Sequence, residues 1–180
     1  MKKKINVIDL DNTLVPFDSF RKLVFHQIFK CDFNIIIISF LRFSRLISRS
    51  NFKKNIITIL ESRATTPQLY DNFARIIFKN INKDVISLIK TNSEKDETTN
   101  VLCSASPTGY VQKIADKLGW IGFGSGYYNN KFINMYGENK EKFIKREYPM
   151  DKYIYNYAIS DSISDLSLLR LFDNYDLLIK

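Results

Sequence analysis

The amino-acid sequence predicts an α/β fold: a parallel β-sheet flanked by helices, with a helical insert after the first strand. Three observations predict it. Ile5, Val7 and Ile8 form a short apolar strand that stops at Asp9-Leu10-Asp11-Asn12-Thr13, where a loop must begin. From Asp18 to about Ile81 the apolar residues recur with a helical period. After that stretch, strand and helix alternate to the end of the chain, which is the pattern of a parallel sheet covered on both faces.

Each element has its own signal. Residues 5–9 are the first strand. In the insert, Ile36, Phe40, Phe43 and Ile47 recur at spacings of four, three and four, predicting one buried stripe. Arg42, Arg45 and Arg49 then fall on the opposite face of the same helix. Thr66-Pro67 reads as an N-cap followed by proline in the first turn, with Leu69, Phe73 and Ile76/Ile77 on the buried side. Asn82–Thr91 is a further helix, and Glu94-Lys95-Asp96-Glu97 a charged surface turn. Val101-Leu102-Cys103 is a strand ending at Ser104, and Ser106-Pro107 starts a helix that Gly119 stops. Residues 120–135, rich in Gly, Tyr and Asn, read as strand and hairpin. A short helix (139–145), a strand (153–159) ending at Ser160-Asp161, a helix (164–172) and a last strand (175–179) complete the chain.

A chain of 180 residues has room for one good core with an insert. Its 45% apolar and 26% charged residues are those of a globular protein. Formal charge is +8, from 27 basic and 19 acidic residues, which favours anionic partners without choosing among them. Two cysteines, Cys31 and Cys103, are too few for a disulfide framework and point to a reducing, cytoplasmic setting. Met1-Lys2-Lys3-Lys4 imitates the start of a signal peptide, but Asp9 and Asp11 interrupt the apolar run that should follow. The most lipid-like run, Phe33 to Leu41, is far shorter than the ~20 residues of a spanning helix.

Ligands of open parallel sheets sit at the carboxyl ends of the strands. Asp9, Asp11, Ser104 and Asp161 all fall at such ends. Strand geometry sends Asp9 and Asp11 to the same side, and two carboxylates in one crevice call for a cation, a shared proton or solvent. Oxygen ligands suit Mg²⁺. Helix-end amides beyond Ser104 and a lysine could hold a phosphate dianion, and one aspartate could then attack phosphorus.

These residues resemble the motifs of haloacid dehalogenase (HAD) superfamily phosphatases, in particular the phosphoserine-phosphatase-like subgroup (subfamily IB-like). Asp9-Leu10-Asp11-Asn12-Thr13 is similar to the DxDxT motif, and Leu102-Cys103-Ser104 to the apolar strand ending in Ser or Thr. Gly137-Glu138-Asn139-Lys140 carries the motif lysine, with Lys142 as the alternative. Ser160-Asp161-Ser162-Ile163-Ser164-Asp165 is similar to GDxxxD, with Ser160 in place of glycine. The matches run in order from residue 9 to residue 165. The resemblance implies a HAD-type Rossmann-like core (1–17 and 82–180) and a helical C1-type cap (18–81). It also implies Asp9 as nucleophile and metal ligand, and Asp11 as acid, then base, with its carbonyl on the metal. Ser104 and Lys140 would hold the phosphoryl group, and Asp161 and Asp165 would complete the Mg²⁺ site. An acid at position 11 argues against dehalogenase chemistry.

The expected activity is therefore Mg²⁺-dependent hydrolysis of a small phosphorylated metabolite through an aspartyl-phosphate. Between residues 18 and 60 eight basic residues stand against two acids, a local +6. An aromatic, basic cap of this kind could touch an anionic membrane, making the substrate a phospholipid or glycolipid-precursor phosphate. A non-catalytic basic binding module is the rival from another class, although no nucleic-acid signature is present. Ser106 reads first as a helix cap and second as a phosphate contact, Thr13 as a prop for the Asp9 loop, Cys103 as a core residue and His26 as a surface or packing residue. Arg21 and Lys22 read first as a solvated face and second as residues where the cap meets substrate.

Overall fold

The computed structural model describes residues 2–93 and 98–178. The expected turn at 94–97 lies outside them, as does the end of the last expected strand. Six strands form one sheet in the order β4-β3-β2-β1-β5-β6. β1 (Lys3–Ile8) lies at its centre, parallel to β2 (Thr98–Pro107) and β5 (Tyr153–Ser160). β3 (Ile121–Tyr128) and β6 (Asn174–Leu177) extend the parallel sheet on either side. β4 (Lys131–Ile133) returns antiparallel to β3. The two-residue turn between them uses Asn129 and Asn130 at φ 49° and 62°, the left-handed pair that a tight hairpin requires.

Side-chain alternation divides the core into two layers. Ile8, Leu102, Tyr157 and Ile159 face one side; Ile5, Val7, Val101, Cys103 and Ala158 face the other. The first layer is covered by α5 (Lys83–Thr91), α6 (Thr108–Leu118) and the helices of the insert. The second is covered by α7 (Glu138–Glu147), a 3₁₀ turn at Ile163–Asp165 and the short α8 (Leu166–Leu169). The 164–172 helix is thus shorter than the sequence suggests. Asn82 caps α5 through its side chain, and Gly119 ends α6 in the left-handed conformation, the latter where the sequence predicts the stop.

The insert is four helices: α1 (Ser19–Phe29), α2 (Phe33–Phe43), α3 (Arg49–Glu61) and α4 (Thr66–Phe78). Their inner residues, among them Leu23, Ile35, Ile56 and Phe73, belong to the same cluster as Ile8 of the sheet and Leu10 and Leu14 of the loop that follows it. Tyr70 and Phe73 of α4 meet the ring of Tyr110 on α6 edge-on, at 5.9 and 5.2 Å between centroids.

Three expectations for the insert are corrected. On α2 it is Ile35 that is buried, with Ile36 and Ile38 half-buried, whereas Phe40 and Phe43 are exposed and Ile47 lies beyond the helix. The arginines do not share one helix face: Arg42 is on α2, Arg45 sits in the following turn at φ 59°, and Arg49 opens α3. In α4, Thr66 is the first helical residue rather than the cap, and its hydroxyl donates to the Leu60 carbonyl. Ile77 points inward there, and Ile76 stays half exposed.

Candidate active site

The carboxyl ends of β1, β2 and β5 open into one cavity of about 670 Å³ between the sheet and the insert. Asp9, Asp11, Lys140, Asp161 and Asp165 all line it. Residues 9 and 161, almost the length of the chain apart, therefore share a wall, because β1 and β5 are neighbours and end side by side.

Of the two candidate lysines, Lys140 is the one that reaches the cavity carboxylates. It is buried, and its Nζ donates to Asp9 Oδ1 at 2.7 Å and to Asp165 Oδ2 at 2.5 Å. Lys142 is exposed on the outer side of α7, paired with Glu138. Burial disfavours the Lys140 ammonium, but Asp9 and Asp165 together outweigh it and hold its pKa above the ordinary lysine value. For Asp9 the balance tips the other way. Burial, reinforced by Asp165 and Asp11, overcomes the attraction of Lys140 and pushes the carboxyl up to about 7. Both shifts report one circumstance: this dry corner holds more negative charge than a single ammonium offsets.

Asp11 faces a different set of partners. Its Oδ1 accepts the backbone N–H of Ser19, in the first turn of α1, at 2.7 Å. Its Oδ2 accepts the hydroxyls of Ser106 at 2.6 Å and Ser104 at 3.4 Å. Burial raises the Asp11 pKa, and the bonds from Ser106 and Ser19 only partly counter it. Ser106 is therefore no helix cap; its hydroxyl serves Asp11, and α6 starts without a side-chain cap. Ser19 Oγ links Ser106 Oγ (3.0 Å) to Tyr110 Oη (2.9 Å), extending the network into the core.

Ser104 is buried beneath this network, bonded by the Ser106 N–H at 3.1 Å; Ala105 and Ser106 are the β2 residues that line the cavity. Ser160, in place of the usual glycine, donates to Asp165 Oδ2 at 2.8 Å and accepts the Ser162 N–H at 3.2 Å, which fixes the loop carrying Asp161. Asp161 is half-buried at the cavity wall. Thr13 is buried, but its hydroxyl has no hydrogen-bond partner among the described residues, so the expected prop for the Asp9 loop is not made through that oxygen. Asn12 takes the left-handed conformation, φ 55°, that turns the chain after Asp11.

One participant escaped the sequence reading. Lys53 of α3 reaches in from the insert, is buried, and donates from Nζ to the Ala105 carbonyl at 2.6 Å. Burial, aided by Arg49, pulls its pKa down to about 8. No local motif marks this lysine; only the fold brings it over β2. His26 is exposed on α1, and Cys103 is a core residue whose thiol burial pushes up to about 12.

Among the described residues no three His, Cys, Asp or Glu side chains are gathered as a ready metal site. The donors on this wall nevertheless fit a hard divalent cation in kind and in charge. They are all oxygen, they outnumber the neighbouring ammonium, and burial, with Asp165 and Asp11 beside it, raises the Asp9 pKa.

A family model described as haloacid dehalogenase-like hydrolase matches residues 7–170. Solved structures with the same fold include a protein of unknown function from Bordetella pertussis Tohama I, with TM-score 0.71 and 14% identity, covering 97% of this chain and 89% of that one. A HAD family hydrolase from Salmonella enterica subsp. enterica serovar Typhi aligns with TM-score 0.57 and 12% identity over 95% of this chain and 61% of its own. A phosphoserine phosphohydrolase-like protein from Francisella tularensis subsp. tularensis SCHU S4 aligns with TM-score 0.56 and 18% identity, over 93% and 82% of the two chains. No curated protein sequence matches the chain.

Proposed function

The chain belongs to the haloacid dehalogenase-like hydrolase family, and on that footing we propose that it is a phosphoric monoester hydrolase, phosphoserine-phosphatase-like in its organisation, with Asp9 as nucleophile. The observation that carries this reading is the division between two aspartates only two residues apart. Asp9 is tied to an ammonium, while Asp11 is surrounded by hydroxyls and an amide in a buried pocket.

In the proposed reaction an Asp9 oxygen attacks phosphorus, the ester P–O bond breaks, and Asp11 gives its proton to the departing alkoxide. Water then attacks the aspartyl-phosphate while Asp11 takes back a proton, and phosphate leaves as Asp9 is released. Lys140 holds Asp9 in line and faces the incoming phosphoryl oxygens, and Asp165 with Ser160 holds Lys140. We assign the phosphoryl contact on β2 to the Ala105–Ser106 edge of the cavity, with Ser104 supporting it from below. Mg²⁺, when bound, would be held by Asp9, the Asp11 carbonyl and Asp161, with Asp165 acting through water, and would neutralise phosphoryl charge. Cys31 and Cys103 are free thiols, which suits a reducing, cytoplasmic setting.

Asp9→Asn tests the reading. It keeps the size of the side chain but removes the nucleophile, so turnover of p-nitrophenyl phosphate should vanish while the far-UV spectrum and melting transition persist. A folded Asp9→Asn protein with undiminished turnover would contradict the assignment.

A further inference from the structure

The outer face of α2 has no partner within the chain. Ile35 looks inward, while Phe33 (75% exposed), Ile37, Phe40 and Phe43 (86% exposed) project outward. Their spacings of four, three and three keep them within about a third of the helix circumference. Phe29 at the end of α1 and Leu46 after α2 are exposed as well. Contiguous surfaces of this kind mark interaction sites.

The charges around the patch say what fits it. Lys30 and Arg45 are exposed beside its two ends, and Arg42, Arg21 and Arg49 line the cavity. Of the two acids in this region, Asp32 is already taken by Arg63 and Asp18 accepts the Arg21 N–H at the start of α1. A second copy of the chain would bring one basic rim against another, and a nucleic acid would leave the phenylalanines in water. An anionic bilayer satisfies both features at once, with apolar side chains below the headgroups and cations among them. With 11 residues, α2 is about 16 Å long, enough to lie in an interface and too short to cross one.

The patch is also continuous with the cavity. Phe25, Ile28 and Phe43 line the cavity wall beyond Asp11, together with Phe20, Val24 and Phe52. A helix lying on the membrane would thus set an apolar channel against the lipid, with the carboxylates at its far end. We propose that α2 docks on an anionic membrane surface and that the cavity takes its phosphate monoester from a lipid in that surface. The substrate half of this proposal rests on the phosphatase reading above; the docking half does not.

Vesicle flotation separates the two halves. Vesicles of phosphatidylcholine, alone or with about 30 mol % phosphatidylglycerol, are mixed with the full chain and with Phe33→Ser/Phe40→Ser, whose altered residues do not line the cavity. Wild type should float with the anionic vesicles at low salt, and the double variant should partition about tenfold more weakly or less. Its p-nitrophenyl phosphate turnover should be unchanged, while its kcat/KM on phosphatidic acid in those vesicles falls by a similar factor. Absence of wild-type flotation, or equal flotation of both proteins, overturns the docking. So does a wild-type dimer in sedimentation that the double variant lacks, if neither protein binds vesicles. Flotation with turnover of p-nitrophenyl phosphate but none of the lipid overturns the substrate half. Flotation with no phosphatase activity at all sinks the phosphatase reading and leaves the docking in place.

Discussion

Asp11 must carry a proton when the ester bond breaks and give up the charge of a carboxylate only in the next step, so its surroundings have to tolerate both states. The structure supplies that tolerance. Burial favours the neutral acid, and the Ser19 amide and the hydroxyls of Ser106 and Ser104 make the anion affordable. The consequence can be measured by varying the leaving group. Asp11→Asn should slow the first turnover of an alkyl phosphate about 100-fold more than that of p-nitrophenyl phosphate, whose weakly basic phenolate departs without a proton. Equal losses on the two esters would remove Asp11 from the role of acid. At the same scale, Asp9 and Asp11 were legible because a strand stops at carboxylates, and Lys140 only through the family resemblance, with Lys142 as its alternative. The bond of Ser106 to Asp11 and the reach of Lys53 were not. Their site partners stand 95 and 52 residues away along the chain, and nothing local distinguishes them from a helix start and a wet helix face.

Among the elements, α2 shows why periodicity alone can mislead. Its sequence, Phe-Asn-Ile-Ile-Ile-Ile-Ser-Phe-Leu-Arg-Phe, is apolar almost all the way round, so a stripe can be drawn on more than one face. The packing of Ile35 against the rest of the core decides which face goes inward, and that information lies in other elements. Two strands, by contrast, were readable at their ends, since β1 stops at Asp9 and β5 at Ser160-Asp161, whereas β2 runs on to Pro107, past the expected end at Ser104. An ion pair joins the start of α2 to the end of α3. Asp32 accepts the Ile35 N–H at the start of α2 and takes both guanidinium nitrogens of Arg63, which follows α3. Hydrogen bonding from Arg63 holds the Asp32 carboxyl below the usual aspartate range. A lowered carboxylate pKa contributes stability above the unfolded value and loses it as pH falls through the folded one. Arg63→Met should therefore cost about 1 kcal/mol near neutral pH, and the difference from wild type should shrink on acidification below about pH 4. A difference that persists unchanged in acid would mean that Arg63 acts by packing alone.

For the molecule as a whole, sheet order turns separate motifs into one site. β1 lies between β2 and β5, so Asp9 and Asp11 after Ile8, Ser106 near the end of β2 and Asp161 after Ser160 come together, and α7 delivers Lys140 from the second face of the sheet. The parallel α/β class and the meeting of residues 9 and 161 follow from the alternation of elements and from strand ends, both written in the chain. How the helices of 18–81 settle over the cavity was not legible, because it depends on contacts such as Thr58 with Tyr127 and Arg49 with Tyr136 between distant segments. The central claim, that Asp9 accepts the phosphoryl group, can be met head on. Full-length Asp11→Asn protein is mixed with Mg²⁺ and p-nitrophenyl phosphate, quenched in acid and digested. Its peptides are then weighed with and without hydroxylamine. One phosphoryl group on the peptide containing Asp9, removed by hydroxylamine and missing when Asp9→Asn is added, is the expected result. Release of p-nitrophenol with no covalent phosphate, or with the phosphate on another residue, would contradict it.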